Sequence, residues 1–275
     1  EFKYFPAMRE LLKFDEMAVP RNARFLTLTG VARQDDDRIM AAFDKIRSGF
    51  PGLDRILDWI RIGDNVVWQV GSVDDYRTVA RVFADQAIRD GRNLIYIRFA
   101  PHEAILQDRD GLVVHRLDPF LGFEHFTGEV HRIVADAGIG AFYVFDCLSE
   151  LQTAWAADLM MGNFFTVTCP YLFELDTVAW FCVLRHRHSH DAIARIRDTT
   201  QLLLDLYPDG GEFYIHPIKV WNRYSPTMFF PHRLDPATPD AALPMTDGVS
   251  VSRFYQLAGA KDDAGVQRRR LDRPL

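Results

Sequence analysis

Long apolar runs are missing from this chain, and so is any excess of positive charge. No stretch approaches the ~20 consecutive apolar residues that span a bilayer. The N-terminus carries no signal-peptide pattern, so the expectation is a cytoplasmic protein without a membrane partner. Acidic residues outnumber basic ones, leaving a formal charge of -6 over 275 residues. A general polyanion-binding field is not expected, which excludes nucleic acid as a partner. The one dense basic run, Arg268-Arg269-Arg270, is offset by Asp262, Asp263 and Asp272 and reads as a solvated tail. Cysteine is scarce. Cys147, Cys169 and Cys182 lie in apolar surroundings without C-x-x-C spacing, and read as small buried hydrophobes in a reducing compartment. A nucleophile elbow and an H-E-x-x-H pair are also absent.

What is present is the material of one well-filled core, with 48% hydrophobic and 25% charged residues. Residues 1–48 read as an N-terminal extension, with EFKYFPAMRELLKF as a short amphipathic piece and RFLTLTGV as a possible strand. From Gly49 the texture becomes regular. NVVWQV (65–70), NLIYIRF (93–99), LVVHRL (112–117), AFYVFDC (141–147) and TVAWFCVL (177–184) read as strands. Residues 78–91, 122–138 and 190–198 have helical spacing, and 148–173 is helical with GNFFTVTCP interrupting its pattern. TQLLLDLY and EFYIHPIKVW flank Pro208-Asp209-Gly210-Gly211, a hairpin signal. After Pro231, DPATPDAALPMTDG has linker composition. The organisation expected is an extension (1–48), a core domain (49–232) and a linker-like C-terminal segment (233–275). Apolar strands alternating with helices imply an α/β fold whose mostly parallel sheet is covered on both faces. Ligands of such sheets sit at the carboxyl ends of the strands.

At one such end lies Gly71-Ser72-Val73-Asp74-Asp75-Tyr76-Arg77-Thr78. Against the phosphate-loop pattern G-x-x-x-x-G-K-[ST], it keeps the first Gly and the final Thr, with Tyr76 at the second Gly and Arg77 at the Lys. A working loop wraps backbone N–H groups around an anion, and glycines allow the close approach. Tyr76 blocks that approach, and Arg77 offers a planar fork where a point donor is wanted. Asp74 and Asp75 add repulsion, each about 1 kcal/mol in water and about 4 at a surface-like dielectric for a pair 4 Å apart.

Ser48-Gly49-Phe50-Pro51-Gly52-Leu53-Asp54, the strand–loop–helix–strand that follows, and Phe142-Tyr143-Val144-Phe145-Asp146-Cys147-Leu148-Ser149 together resemble the KaiC-like branch of the RecA ATPases over roughly residues 48–232. The resemblance implies a RecA/KaiC-like sheet flanked by helices, with an antiparallel C-terminal hairpin. It also implies a nucleotide site, weak or vestigial, at Gly71, Asp74, Asp75, Tyr76, Arg77, Thr78, Asp146 and Lys219. In that family Thr78 would ligate a metal and Asp146 would hold the Mg-bound water. Read from the residues alone, Thr78 is a first-turn helix residue and Asp146 a cap for the following helix. Two departures stand out. Where the family has water-polarising carboxylates after the second strand, this chain has Ala100-Pro101, with Glu103 slightly beyond. Where the family has a late K-x-R reaching a neighbouring subunit, Lys219 remains but Trp221 replaces the Arg, and Arg223 is out of step. The degenerate loop and the ending KVWNRYSPTMFFPH also resemble the leading part of proteins related to phosphoenolpyruvate synthase and pyruvate phosphate dikinase.

The expectation is thus a non-hydrolysing regulatory or scaffolding domain, cut from a longer chain, whose partners are further domains of that chain or another protein. No cofactor is expected, and any ATP or Mg binding should be weak. The chain should be a monomer or dimer rather than a nucleotide-dependent hexamer. The enzyme alternative is a divergent nucleotide-dependent phosphotransferase using Arg77, Thr78, Asp146 and Glu103. His186-x-His188-x-His190 has the alternation of a metal site, but Arg185 and Arg187 oppose a cation and a solvated loop is expected. Trp221, Tyr224, Phe229 and Phe230 are expected to pack on the sheet edge rather than form a docking face.

Overall fold

The computed structural model describes residues 45–235, 238 and 240–271, with side chains up to Asp262. The expected N-terminal extension, apart from residues 45–48, lies outside the described residues. The chain from Asp44 onward forms one compact unit.

A nine-stranded sheet is the frame, in the order β11-β10-β9-β8-β3-β7-β6-β4-β5. Its strands are β3 (Asn65–Val70), β4 (Leu94–Arg98), β5 (Leu112–Arg116), β6 (Phe142–Cys147), β7 (Val178–Leu184), β8 (Leu202–Asp209), β9 (Glu212–Val220), β10 (His232–Leu234) and β11 (Ala242–Pro244). The six strands from β8 to β5 in that order run parallel, and β9, β10 and β11 extend the sheet antiparallel. A small antiparallel pair, β1 (Lys45–Ile46) and β2 (Ile60–Arg61), stands apart. Among the described residues, no helix is long and apolar enough to cross a membrane.

Both faces of the central strands are buried, which explains why they read as continuous apolar runs. Val66, Trp68 and Val70 face a core built with α1 (Pro51–Ile56) and α2 (Val73–Arg89), where Phe83 stacks on Trp180 at 4.2 Å. Val67, Phe145 and Phe181 face the opposite core, built with α3 (Phe123–Ala137) and α5 (Asp158–Glu174). A short α4 (Leu151–Trp155) precedes α5, and α6 (His190–Thr199) packs beside it. Helix α5 runs through GNFFTVTCP without a break, Pro170 included. Burial of Phe164, Phe165, Cys169 and Leu172 against the sheet outweighs the weak helix propensity of that stretch.

The β8–β9 hairpin turns at Gly210 and Gly211, whose φ of 59° and 86° is the left-handed pair that a tight hairpin needs. Beyond it, the segment expected to be linker-like adds β10 and β11 to the sheet and then forms α7 (Gly248–Leu271). Phe254 and Ala258 of α7 bury themselves on Tyr207, Tyr214 and Met245. Its short apolar stripe is what the proline-rich composition around it obscured.

The amino edge of the sheet is closed by a buried ion pair. Arg223 donates to both carboxylate oxygens of Asp64 at 2.8 and 2.6 Å and to the Trp59 carbonyl at 2.7 Å, and both charged side chains are nearly sealed from solvent. Asp64 also accepts from the Arg61 N–H at 2.8 Å. Breaking such a pair strands a buried charge. Asp64→Asn is therefore expected to cost about 3–5 kcal/mol in urea denaturation, whereas the apolar pair Asp64→Leu with Arg223→Met costs less than either single change. A loss below about 1 kcal/mol in the single variant would show that the pair is not sealed.

Candidate functional site

The carboxyl ends of β3, β4, β6 and β7 bring together most of the residues singled out from the sequence. Helix α2 begins at Val73, immediately after Gly71-Ser72, so Asp74 to Thr78 are its first turns rather than a loop. The cause is a capping box. Ser72 Oγ accepts from the Asp75 N–H at 3.3 Å, and the Asp75 carboxylate accepts from the Ser72 N–H at 2.9 Å. An anion at this helix N-terminus would meet a carboxylate already in place. Tyr76 is fully buried and donates its hydroxyl to the Trp180 carbonyl at 3.1 Å; burial pushes that phenol well above its usual range. Arg77 is drawn sideways to Asp74 and to the carbonyls of Glu103 at 3.0 Å and Ala104 at 3.3 Å. Thr78 Oγ1 donates to the Asp74 carbonyl at 3.2 Å, an ordinary in-helix bond. Each group that the phosphate-loop pattern needs is therefore used within the fold.

Asp146 is sealed from solvent at the end of β6. It does not cap the helix that follows. Its carboxylate reaches the neighbouring strand instead, accepting from the Tyr96 hydroxyl and from the N–H groups of Phe99 and Ala100, both at 2.9 Å. Burial and then the Asp146 charge push the Tyr96 phenol far above its usual range, so it stays a donor. The same Tyr96 oxygen accepts from the Ile105 N–H at 2.9 Å. His102 completes the closure: its Nε2 accepts from the Cys147 N–H at 3.3 Å, leaving Nδ1 to donate to the Glu103 carbonyl at 2.8 Å. Glu103 itself leaves its carboxylate largely in solvent. Lys219 is not part of this edge. It lies on β9 opposite the start of β8, at the amino end of the parallel strands, and its ammonium holds the carbonyls of Arg197 and Asp198 at the end of α6.

A chain of three side chains here escaped sequence reading. Ser149 Oγ lies 2.6 Å from His188 Nε2, and His188 Nδ1 lies 2.6 Å from Asp158 Oδ1. The consistent assignment has Ser149 donating to Nε2 and Nδ1–H donating to Asp158, the polarity of a serine hydrolase triad. The surroundings argue against that chemistry. Ser149 is 6% exposed and the His188 side chain 0%, whereas Asp158, the group a triad buries, is 20% exposed. The serine oxygen already accepts from the Leu184 N–H at 2.8 Å, and Asp158 accepts further from Gln152 at 3.2 Å and the Ser189 N–H at 2.5 Å. Burial acts to raise the Asp158 carboxyl, but the Ser189 hydrogen bonds and His188 together hold it below its usual range. The three residues clasp the end of β7 to the start of α5. No motif spacing marks Asp158, because His188 comes from the next connection, after β7.

The histidine run does not share a face. His186 adopts φ 61° and turns to Asp262 at 3.0 Å, His188 points inward, and His190 opens α6. The expectation of a solvated loop is corrected for His188, whose side chain is buried. Among the described residues no cluster of three or more His, Cys, Asp or Glu is placed to hold a metal ion. The aromatic residues at 221–230 also differ from expectation. Trp221, Tyr224, Phe229 and Phe230 stay exposed, while Met228 among them is buried in the core. A scan against models of known protein families and a search among curated proteins both return no match.

If the Ser149 network is a clasp, Ser149→Ala should cost about 1–3 kcal/mol of stability by leaving buried partners unsatisfied. The wild-type chain should also resist covalent labelling by a fluorophosphonate. Stoichiometric labelling at Ser149 would show an accessible, activated nucleophile instead.

Proposed function

We propose that this chain is a RecA/KaiC-like domain without ATPase chemistry, serving as a regulatory or scaffolding module of a larger protein. The observation that carries this reading is the start of α2, where the Asp75 carboxylate occupies the helix N-terminus beside β3. Asp146 is likewise committed, since Tyr96, Phe99 and Ala100 take both its oxygens. The residues at the position of the family's catalytic carboxylates, Ala100 and Pro101, supply no base, and the Ala100 N–H is itself a donor to Asp146.

The reading extends to assembly. A ring that acts across subunits needs a free arginine late in the chain. Here Trp221 stands at that position, and Arg223, the arginine beside it, is locked on Asp64 inside its own subunit. Lys219 is likewise engaged at the end of α6. No observation favours the phosphotransferase alternative, for which Arg77 and Thr78 would have to leave their present partners.

Titration with a fluorescent ATP analogue and Mg²⁺ tests the proposal. The expected dissociation constant is weaker than about 1 mM, which corresponds to about -4 kcal/mol. Hydrolysis should not exceed background, and Asp146→Asn should leave that background unchanged. Micromolar binding, or turnover abolished by Asp146→Asn, would overturn the reading in favour of the phosphotransferase.

A further inference from the structure

The other half of the carboxyl edge, at β7 and β8, is held by charge. Arg185 follows β7 and sits over the Tyr207 ring, 3.9 Å from guanidinium carbon to ring centre. It donates to the carbonyls of Gln69 at 3.0 Å and Leu206 at 2.7 Å, and its side chain is nearly sealed. Two carboxylates feel this one cation, Asp262 in contact and Asp205 through its field. Asp262, reaching down from α7, sits 3.4 Å from Arg185 Nε and 3.0 Å from His186 Nε2. Asp205, on the same face of β8 as Tyr207, has a sealed Oδ1 with no hydrogen-bond partner. Burial, with Asp262 adding to it and Arg185 opposing, pushes the Asp205 carboxyl up to about 7.

We propose that α7 is a pH-responsive strap, latched on the carboxyl edge by Asp262 against Arg185 and His186, and loosened when Asp205 beneath them ionises. With Asp205 protonated, Asp262 has the whole charge of Arg185. Once Asp205 is ionised, two like charges share one guanidinium and the more exposed of them, Asp262, is displaced toward water. Asp262 also meets His186 Nε2, a second contact that is broken when α7 lifts. The sign follows: the strap is tight below about pH 7 and loosens as the pH rises through that value.

The other groups around the latch are already engaged. His216, opposite Asp205 on β9, packs on Phe254 and Tyr255 of α7, and burial holds its imidazole below the usual range. Asp75 is committed to the Ser72 N–H, although its Oδ2 and Arg185 Nη2 both approach Gly71. Lys261 holds the Pro208 carbonyl and lies 3.6 Å from Asp209, a second tie between α7 and the hairpin. Tyr207 is held above its usual range by burial and remains neutral throughout. The apolar hold on α7 is small, resting on Phe254 and Ala258 with Val251 and Leu257 half-buried. A modest change in charge is therefore enough to matter. This inference does not depend on the RecA-like reading.

Hydrogen exchange of the full chain at pH 6 and pH 8.5, corrected for intrinsic rates, tests it, with amides of 249–262 as the readout and those of 73–89 as the internal reference. Protection of 249–262 is expected to fall about tenfold at pH 8.5 while 73–89 is unchanged. Asp205→Asn should keep the strap protected at both pH values. Asp262→Asn should expose it at both, and this variant decides the question if Asp205→Asn fails to fold. Equal protection of wild-type 249–262 at the two pH values would overturn the proposal. So would loosening that persists in Asp205→Asn, or loosening that spreads equally to 73–89.

Discussion

The carboxylate of Asp146 organises the half of the sheet edge where a ligand of this fold class would sit. Buried without partners, it would be among the most costly groups in the chain. It is tolerated because three donors converge on it, one from Tyr96 and two from the backbone of Phe99 and Ala100. Those contacts fix more than the carboxylate. They pin the chain as it leaves β4, and the Tyr96 oxygen passes the constraint on to Ile105. Ala104, Ile105 and Leu106 can then bury themselves against the α2 face. Their carbonyl neighbours in turn hold Arg77 over the side of α2. One buried acid thus sets the course of a crossing loop, and the loop sets the position of Arg77 on the first turns of α2.

Alternation of strand and helix was legible because it rests on burial. Runs such as NVVWQV and AFYVFDC are apolar on both faces, and a chain with such runs separated by amphipathic helices has few ways to cover them. The hairpin was equally plain from Asp209-Gly210-Gly211. The start of α2 was not. Ser72-x-x-Asp75 is a capping box with Asp in place of the usual Glu, and the same residues also match part of a phosphate-loop pattern. Two local codes overlapped, and hydrogen bonding chose between them. The Ser149–His188–Asp158 chain was illegible for a different reason. Ser149 and Asp158 lie in the β6–β7 crossover and His188 in the connection after β7, and only the completed sheet brings them within 3 Å. Helix α7 was missed because its apolar stripe is short and follows a proline-rich stretch, so its order comes from docking on Tyr207 and Tyr214 rather than from its own sequence pattern.

The two halves of the carboxyl edge use different physics. From β4 to β6 the closure is made of short-range hydrogen bonds whose donors are backbone N–H groups, tyrosine and a neutral imidazole. These are short, directed contacts, and salt screens them little. From β7 to β8 the closure depends on charge, with Arg185 and His186 facing Asp262 and the buried Asp205 close by, and salt screens such contacts more strongly. A rigid half beside a charge-held half would suit the regulatory role proposed above, since the core persists while one surface responds.

Asp205 is what singles out the adjustable half. The fold buries several acids and satisfies nearly all of them. Asp64 has a bidentate arginine and an N–H, Asp146 has three donors, and Asp54 accepts from the Ser48 N–H at 2.9 Å although burial lifts it to about 6. Among the described residues, Asp205 is the one carboxylate with a sealed oxygen that has no partner. An asparagine or a leucine would fit the pattern of β8 at lower cost, since Leu203 and Leu204 before it are fully apolar. Local rules broken without compensation mark places where a fold carries something besides stability. Here the broken rule lies on β8 next to Leu206 and Tyr207, which hold the Arg185 that Asp262 of α7 ties to, and that coincidence is what makes the acid a lever rather than a defect.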